Sequence, residues 1–145
     1  MQPQIEAEVS ERLRGTGLRL TPGRRRVVAA LTDAGGPRTA AEIHAHLRRR
    51  IPLSSLYRSL AVLEESGVLA SHHGSGPQRK YELAEWLRGH HHHLVCLGCG
   101  RIEDVELDDQ AERTLHGLAG EVAAGSGYAA SGHRLEIEGL CGGCG

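Results

Sequence analysis

Four cysteines near the end of the chain form two pairs with the same spacing. Two residues separate Cys96 from Cys99, and two separate Cys141 from Cys144. A C-x-x-C turn places two sulfurs on one cation, and glycines within both pairs permit so tight a turn. Four thiolates close a tetrahedral zinc site and leave no open position for chemistry. The quartet therefore predicts structural zinc.

Two alternative roles for the cysteines fit less well. A thioredoxin-like redox protein carries one C-x-x-C motif beside a βαβ pattern, whereas this chain has two motifs in one segment. Incidental cysteines are not expected to pair twice at this spacing when only four are present. Zinc would also tie the last residues of a small lobe back to its first strand, so zinc binding would contribute folding free energy.

Four consecutive histidines precede the first cysteine pair. Alternate side chains of a strand point to opposite faces, so His91 and His93 face one way and His90 and His92 the other. Each pair is predicted to serve a separate metal ion. The candidates that would complete these sites are Glu82, Asp104, Glu112 and His133. The alternative is a solvated polar patch without an ion.

Imidazole and carboxylate together form a borderline ligand set. They suit Fe(II), Mn(II), Co(II), Ni(II) or Zn(II), and the general affinity order does not choose among these ions. Without thiolates, such a site is expected to release its ion more readily than the cysteine site. Exchangeable binding of this kind is what a metal sensor requires.

The charge of the chain differs sharply between its two halves. Residues 1–83 carry 13 Lys and Arg against 8 Asp and Glu, whereas residues 84–145 carry 4 against 10. The first half therefore suits a polyanion and the second half suits cations. Hydrophobic residues make up 39% of the chain, with no Phe, so aliphatic side chains must form the core.

The first half has the pattern of three helices followed by a hairpin. Thr21 is a good N-cap with Pro22 behind it, and residues 39–42 form a capping box for the next helix. Ser54 or Ser55 is expected to cap a helix that buries its leucines at helical spacing. Two strands follow, at residues 68–73 and 79–83, around the hairpin turn 74–77. This order is that of a winged helix-turn-helix.

The second half has an α/β pattern. Strands are predicted at residues 93–95, 101–106 and 134–139, with a helix capped by Asp108 or Asp109 and ending near Gly125. The fold class is therefore α+β. We expect a winged-helix domain at residues 1–83, a hinge at 84–89 and a metal-binding domain at 90–145.

The third helix is the candidate for reading DNA. Leu56 and Leu60 point inward, which leaves Ser55, Tyr57 and Arg58 near the exposed N-terminal end. Hydroxyl groups and Arg contact phosphates or bases, and a Tyr ring can meet a thymine methyl group. Arg19 lies in the turn before Thr21, where it can reach a groove or the backbone. An ordinary amphipathic helix is the alternative.

Other functional classes find less support. The chain has no apolar stretch of about eighteen residues and no secretory signal at its polar start, which predicts a cytoplasmic protein with reduced thiols and no membrane partner. It carries no nucleophile or H-E-x-x-H motif, so neither an enzyme nor a small-molecule substrate is expected. A zinc-ribbon interaction module, or a metal-storage module without sequence-specific DNA binding, remains the alternative.

These motifs follow the order found in the ferric uptake regulator family of bacterial metal-dependent repressors, and the chain resembles that family over nearly its whole length. The matching stretches are residues 17–24, 54–60 and 90–100, and His133 with Cys141 and Cys144. The resemblance implies a winged-helix domain joined by a hinge to an α/β dimerisation domain. It also implies a homodimer that binds a palindromic operator in double-stranded DNA when loaded with metal, and so represses genes of metal homeostasis or the peroxide response.

The resemblance further implies roles for individual residues. The structural zinc ligands are Cys96, Cys99, Cys141 and Cys144. The regulatory ion at the hinge, Fe2+, Zn2+ or Mn2+, is held by Glu82, His91, His93 and Asp104. A further site is held by His90, His92 and His133, with Glu112 one position away from the matching one. DNA contacts are made by Arg19, Tyr57 and Arg58.

The chain departs from the family pattern at two positions. Many members contribute a histidine from the turn before the second helix of the domain core, where this chain has Pro37. We therefore expect His72 or His73, from the wing strand, to supply the missing ligand. Zinc-sensing members use a cysteine shortly after the wing, where this chain has Ala84. The ligand set thus resembles that of iron-, manganese- or peroxide-sensing members more closely.

Overall fold

The computed structural model describes residues 1–73 and 76–145 as twelve elements. In the first lobe they are α1 (Pro3–Gly15), α2 (Pro22–Thr32), β1 (Arg38–Thr39), α3 (Ala40–His46), α4 (Leu53–Glu65), β2 (Leu69–His72) and β3 (Lys80–Leu83). They continue with α5 (Glu85–Arg88), β4 (His92–Cys96), β5 (Ile102–Val105), α6 (Asp109–Gly125) and β6 (Glu136–Gly139). No helix in these described ranges is both long and apolar enough to cross a membrane.

Side-chain capping sets the start of three of the six helices in the described residues, α2, α3 and α6. The Thr21 side chain accepts a hydrogen bond from the backbone N–H of Arg24, and Thr39 and Glu42 form the predicted reciprocal capping box. The prediction that Ser54 or Ser55 caps α4 was wrong, because the helix begins two or three residues earlier, with Pro52 at the N-cap. The φ of proline already suits a helix entry, so both serines lie within the first turn.

The wing is a three-stranded antiparallel sheet in the order β1-β3-β2. The two predicted strands pair as expected, with Leu69 opposite Leu83 and His72 opposite Lys80. The sequence did not predict β1, because a two-residue strand has no periodic signal and exists only through its pairing with β3. The predicted hairpin turn falls partly on residues 74 and 75, which lie outside the described residues.

Aliphatic side chains from all four helices and from the wing form the core of the first lobe. Val9 and Leu13 of α1 pack there with Val27 and Val28 of α2, and all four are fully buried. The predicted leucines of α4 are buried as well. Their burial leaves the opposite side of α4 exposed, so the winged helix-turn-helix prediction is confirmed.

The segment between the lobes is a short helix that is fastened to the first lobe. The Trp86 indole N–H donates to the carbonyl of Gly67, at 2.7 Å. Leu87 packs against the first-lobe core, and the Arg88 guanidinium donates to the carbonyls of Leu31 and Ala34. Gly89 follows with φ 90° and ψ 167°, a backbone conformation that is essentially restricted to glycine.

The second lobe is a three-stranded sheet in the order β5-β4-β6, with α6 between its second and third strands in sequence. β4 pairs antiparallel with β5 and parallel with β6, so the histidine strand lies in the centre. Asp108 caps α6 by accepting from the N–H of Ala111. Every residue of α6 is at least partly exposed, and Leu118 and Val122 are 55% and 63% exposed.

The lobes meet where the α2–β1 loop lies against β5. The backbone N–H of Asp104 donates to the carbonyl of Gly35, at 3.1 Å. A Cβ atom at Gly36 would lie 2.5 Å from the carbonyl oxygen of Ile102, so the two backbones approach closely. This contact brings Asp104 next to the wing.

Candidate metal centres and the outward face of helix α4

The four cysteines come together at the end of the β-sheet. Their ligand atoms lie within 4.8 Å of one another, and Sγ of Cys99 is 3.9 Å from Sγ of Cys141. Tetrahedral zinc with sulfur at about 2.3 Å requires sulfurs roughly 3.8 Å apart. The cluster therefore fits structural zinc. Cys96 ends β4 and Cys99 lies in the turn that follows, whereas Cys141 and Cys144 lie in the turn after β6.

The cysteine cluster is already partly organised for a cation. The backbone N–H groups of Cys141 and Cys99 face Sγ of Cys96 and lower the pKa of that thiol to about 6. A backbone hydrogen bond from Gly143 lowers the pKa of Cys141. The neighbouring sulfurs, Cys141 first, raise the pKa of Cys144 to about 12, because four thiolates repel one another without an ion between them.

The second cluster joins the two lobes. Oε2 of Glu82, on β3, lies 3.1 Å from Nε2 of His91 and 3.2 Å from Nε2 of His93. Oδ1 of Asp104, on β5, lies 3.8 Å and 3.6 Å from the same two nitrogens. One ligand atom from each of the four residues falls within 4.8 Å of the others. We call this group the hinge site.

The electrostatics of the hinge site fit a cation. Burial alone would raise the pKa of Glu82, but hydrogen bonds from His72, His93 and His91 bring it far below its ordinary range. Burial alone would lower the pKa of His91, but the Gly89 carbonyl and the Glu82 carboxylate raise it overall. The raised pKa of His91 means that, without an ion, its imidazole holds a proton more readily than a free one.

Asp104 supports the same conclusion. Both of its carboxylate oxygens are buried, and within the described chain neither accepts a hydrogen bond of regular geometry. Oδ2 contacts the Arg88 guanidinium as an ion pair, while Oδ1 faces the two imidazoles. A buried oxygen aimed at two histidines is well placed to bind an ion.

The two candidate wing histidines differ in position. His72 points toward the hinge site: its Nε2 contacts Oε1 of Glu82, and its ring meets that of His93 edge-on with centroids 4.8 Å apart. His73 is exposed and lies outside every ligand cluster found in residues 1–73 and 76–145. Of the two, the structure brings only His72 to the predicted ligands.

The other two histidines of the run point to the opposite side of β4 and meet α6. Carboxylate oxygens of Glu112 lie 3.0 Å from His90, 2.9 Å from His92 and 2.7 Å from His133. Hydrogen bonding, from His92 above all, lowers the pKa of Glu112. The four adjacent histidines thus alternate between two clusters, and the alternation already holds at His90 and His91, before the first residue of β4.

The sequence pattern did not reveal one further group. His72, His93 and Glu136 also offer ligand atoms within 4.8 Å of one another. Glu136 lies on β6, more than forty residues from His93, but the two are directly opposite in the β4–β6 pairing. The pattern of β6 alone showed only an exposed acidic residue, so only the strand pairing reveals this neighbourhood.

The predicted DNA-reading residues lie on the outer side of the first lobe. Tyr57 is 53% exposed, Arg58 and Arg19 are exposed, and Ser55 is half-buried. Ser55, Tyr57 and Arg58 lie in the first two turns of α4, while Arg19 precedes α2. The structure thus leaves Arg19, Tyr57 and Arg58 open to solvent.

Comparisons with known proteins agree with this geometry. The model of the ferric uptake regulator family matches residues 15–138. The peroxide operon regulator of Bacillus subtilis (strain 168) is 32% identical over 94% of this chain and 91% of its own length. The ferric uptake regulation protein of Synechococcus elongatus is 30% identical, covering 97% of this chain and 92% of the relative.

Among solved structures, the ferric uptake regulator Fur of Helicobacter pylori superimposes with a TM-score of 0.75 at 26% identity. The match covers 97% of this chain and 91% of that one. That structure is described as revealing three functional metal binding sites.

Proposed function

The chain belongs to the ferric uptake regulator family of metal-responsive transcriptional regulators, and we propose that it represses by binding operator DNA as a homodimer when a divalent ion fills the hinge site. The observation that carries the proposal is the position of Glu82. Its carboxylate belongs to the wing of the first lobe but lies within hydrogen-bonding distance of His91 and His93 on the second. An ion bound by all three residues would connect the lobes.

This link between the lobes through the ion would make operator binding depend on metal. An ion stabilises the closed arrangement only by binding it more tightly than the open one. Moving from about one chain in a hundred closed to nearly all closed requires a differential binding free energy of about 5.5 kcal/mol. Ligands drawn from two lobes meet that requirement, because opening takes Glu82 away from the ion.

The short helix α5 limits where the lobes can pivot. Residues 85–88 are bonded to the first lobe through Trp86 and Arg88, so rotation falls on Gly89 and its neighbours. His91 lies two residues beyond this pivot, and its Nδ1 is 2.9 Å from the carbonyl of Gly89. An ion on His91 therefore acts directly at the point of rotation.

Homodimerisation is supported by the surface of the second lobe. Leu118 and Val122 on α6, with Ile137 on β6, are all about half-exposed or more. An apolar surface of this kind on a small lobe suits burial against a second copy. Two copies would hold their α4 helices at a fixed spacing, roughly 34 Å or a multiple of it, which matches successive major grooves of operator DNA. This binding would take place in the cytoplasm.

Two ions have different tasks in this proposal. Zn2+ at the four cysteines is structural, because all four ligand positions are taken by sulfur. At the hinge site two imidazoles and two carboxylates suit Fe2+ or Mn2+, with Zn2+ as a competitor. The regulated genes would then be those of metal uptake, metal homeostasis or the peroxide response.

Operator binding with and without metal tests the proposal. We expect replacement of both His91 and His93 by Ala to abolish the metal dependence of operator affinity while the cysteine zinc is retained. His73→Ala is the matched control, because that imidazole is exposed and outside the clusters, and it should keep the metal dependence. A double variant that still responds to metal as the unaltered chain does would refute the switch.

The same measurement separates the alternative function. A metal-storage or zinc-ribbon interaction module would show no sequence-specific binding to duplex DNA at any metal concentration. Metal-by-metal titration of operator binding, preceded by elemental analysis of the purified protein, would then identify the regulatory ion.

A further inference from the structure

The two carboxylate oxygens of Glu82 contact different histidines. Its Oε1 contacts His72, whereas its Oε2 faces His91 and His93. His72 belongs to a different ligand group from His91 and Asp104. An ion in the hinge site would therefore have Glu82 between itself and His72.

His72 lies close to two potential metal ligands from the second lobe, His93 and Glu136. One atom each of His72, His93 and Glu136 fall within 4.8 Å of one another, and these residues come from β2, β4 and β6. All three line a cavity of about 600 Å³ between the wing and the second lobe. Glu136 is exposed, so the cavity offers room for a water molecule as a further ligand.

We propose that His72, His93 and Glu136 form a second ion position, which takes Zn2+ and excludes an ion from the hinge site. The inference rests on the proposed function only in treating the hinge site as a metal position. Exclusion follows from the shared residue. A neutral imidazole offers one lone pair, because its other ring nitrogen carries the proton, so His93 serves one ion at a time.

The two positions differ in the ions they suit. Two imidazoles and one carboxylate, with an open fourth position for water, form a ligand set that tetrahedral Zn2+ adopts. The hinge site has a second carboxylate, and additional oxygen ligands favour Mn2+ or Fe2+. Zinc would thus bind His93 without using His91 and Asp104, and would tie the lobes through β2 instead of β3.

Metal affinities of matched variants test the proposal. The background is the double variant Glu112→Gln/His133→Gln with the cysteine zinc in place, which removes two of the four ligands of the other histidine cluster. In it we expect Glu136→Gln to weaken Zn2+ binding about tenfold and to leave Mn2+ affinity unchanged within about twofold. His72→Gln should have the same effect, and the two together should add little, since both remove one site. Glu138→Gln, an exposed glutamate on the same strand and outside the clusters, is the control.

Competition provides the second measurement. One equivalent of Zn2+ beyond the cysteine zinc should block one Mn2+ equivalent in this background, and Glu136→Gln should weaken the block, because Zn2+ would then compete with Mn2+ only at the hinge site. Equal loss of both ions, no loss of Zn2+, or simultaneous binding of Zn2+ and Mn2+ would overturn the proposal. Neither readout uses DNA, so failure of operator binding would affect only the proposed regulatory function.

Discussion

The Arg88 guanidinium contacts the Asp104 carboxylate across the boundary between the lobes. The same guanidinium donates to the carbonyl of Leu31, in the last turn of α2, at 3.4 Å and to that of Ala34, just beyond the helix, at 2.9 Å. Asp104 uses Oδ2 for this contact and keeps Oδ1 toward the imidazoles of the hinge site. One side chain therefore joins a ligand of the hinge site to the helix that precedes the DNA-reading elements.

Replacing Arg88 should affect both the docking of the lobes and the hinge ion. We expect Arg88→Gln to lower the free energy of unfolding by about 1–3 kcal/mol, because it removes charge-assisted hydrogen bonds to partly buried carbonyls. Mn2+ affinity should fall about tenfold, since Asp104 loses the contact that orients it. Chemical denaturation and metal titration measure the two effects. Arg113→Gln, an exposed arginine on α6, should produce neither.

The pivot at Gly89 should be sensitive to a side chain. No neighbouring atom lies within 4 Å of a Cβ built there, so the cost comes from its φ of 90° alone. We expect Gly89→Ala to cost about 1–3 kcal/mol of stability and to weaken metal-dependent operator binding, because the preferred backbone would rotate the histidine strand away from the wing. Gly35→Ala has an equally open Cβ position without a positive φ and should be tolerated. Equal effects of the two substitutions would contradict a pivot at Gly89.

The side chains on α4 make separable predictions for DNA binding. Arg58→Ala should weaken operator affinity and reduce its salt dependence by about one counterion if Arg58 contacts a phosphate. Tyr57→Ala should change sequence preference by about 1–3 kcal/mol at one base pair while leaving the salt slope unchanged. Binding isotherms at two salt concentrations, on operator and scrambled duplexes, distinguish these effects. If Tyr57→Ala changed the salt slope and Arg58→Ala changed the sequence preference, Tyr57 would contact the phosphate and Arg58 the base.

Much of this fold could be predicted because its signals are local. Thr21 and Thr39 cap helices through atoms three residues away, and two-residue strand alternation is enough to divide His92 from His93. The cysteine spacing likewise encodes a turn. Each of these features depends on a few neighbouring residues, so it can be predicted from the sequence alone.

The remaining features depend on contacts between distant residues. Glu136 joins His72 only because β6 pairs in parallel with β4, and periodicity cannot give that pairing. The docking of Trp86 and Arg88 requires carbonyls that earlier helices leave free. The choice of His72 over His73 follows from the register of the wing, which places His72 opposite Lys80 on β3.

The metal-free protein should be most stable at mildly acidic pH. His91 has a pKa raised above its ordinary 6.5, so its contribution is fully present below 6.5 and is lost as pH rises through the raised value. Glu82 has a lowered pKa, so its contribution is present above its ordinary 4.5 and is lost only in stronger acid. We therefore expect the melting temperature of protein that keeps its cysteine zinc but lacks the hinge ion to fall as pH rises from 6.5 through the raised pKa of His91.

The bound ion should reverse this dependence, because it needs neutral imidazoles and is released when they take up protons. Mn2+ affinity should rise over the same pH range in which metal-free stability falls. Glu82→Gln should reduce the slope of the stability profile of the metal-free protein, since it removes one of the groups that, after the Gly89 carbonyl, raise the pKa of His91. An unchanged profile in that variant would show that another group titrates.

The zinc cluster can be disturbed without removing a sulfur. A Cβ atom at Gly98 would lie 2.9 Å from Cβ and 3.0 Å from Sγ of Cys144, whereas one at Gly143 would meet only Sγ of Cys141, at an ordinary 3.9 Å. Gly98→Ala should therefore displace the fourth ligand, and Gly143→Ala should leave the cluster intact. Elemental analysis after mild chelation measures the zinc that each variant retains.

Loss of that zinc should destabilise β6 in particular. All four residues of β6 are exposed, so the strand depends on its pairing with β4 and on the cysteine turn that follows it. We expect Gly98→Ala, like Cys144→Ser, to lower the melting temperature by more than about 10 °C and to speed amide hydrogen exchange in β6 before α4. Full zinc retention in the Gly98 variant, or unaltered exchange in β6 after zinc loss, would mean that strand pairing holds this end of the chain without the ion.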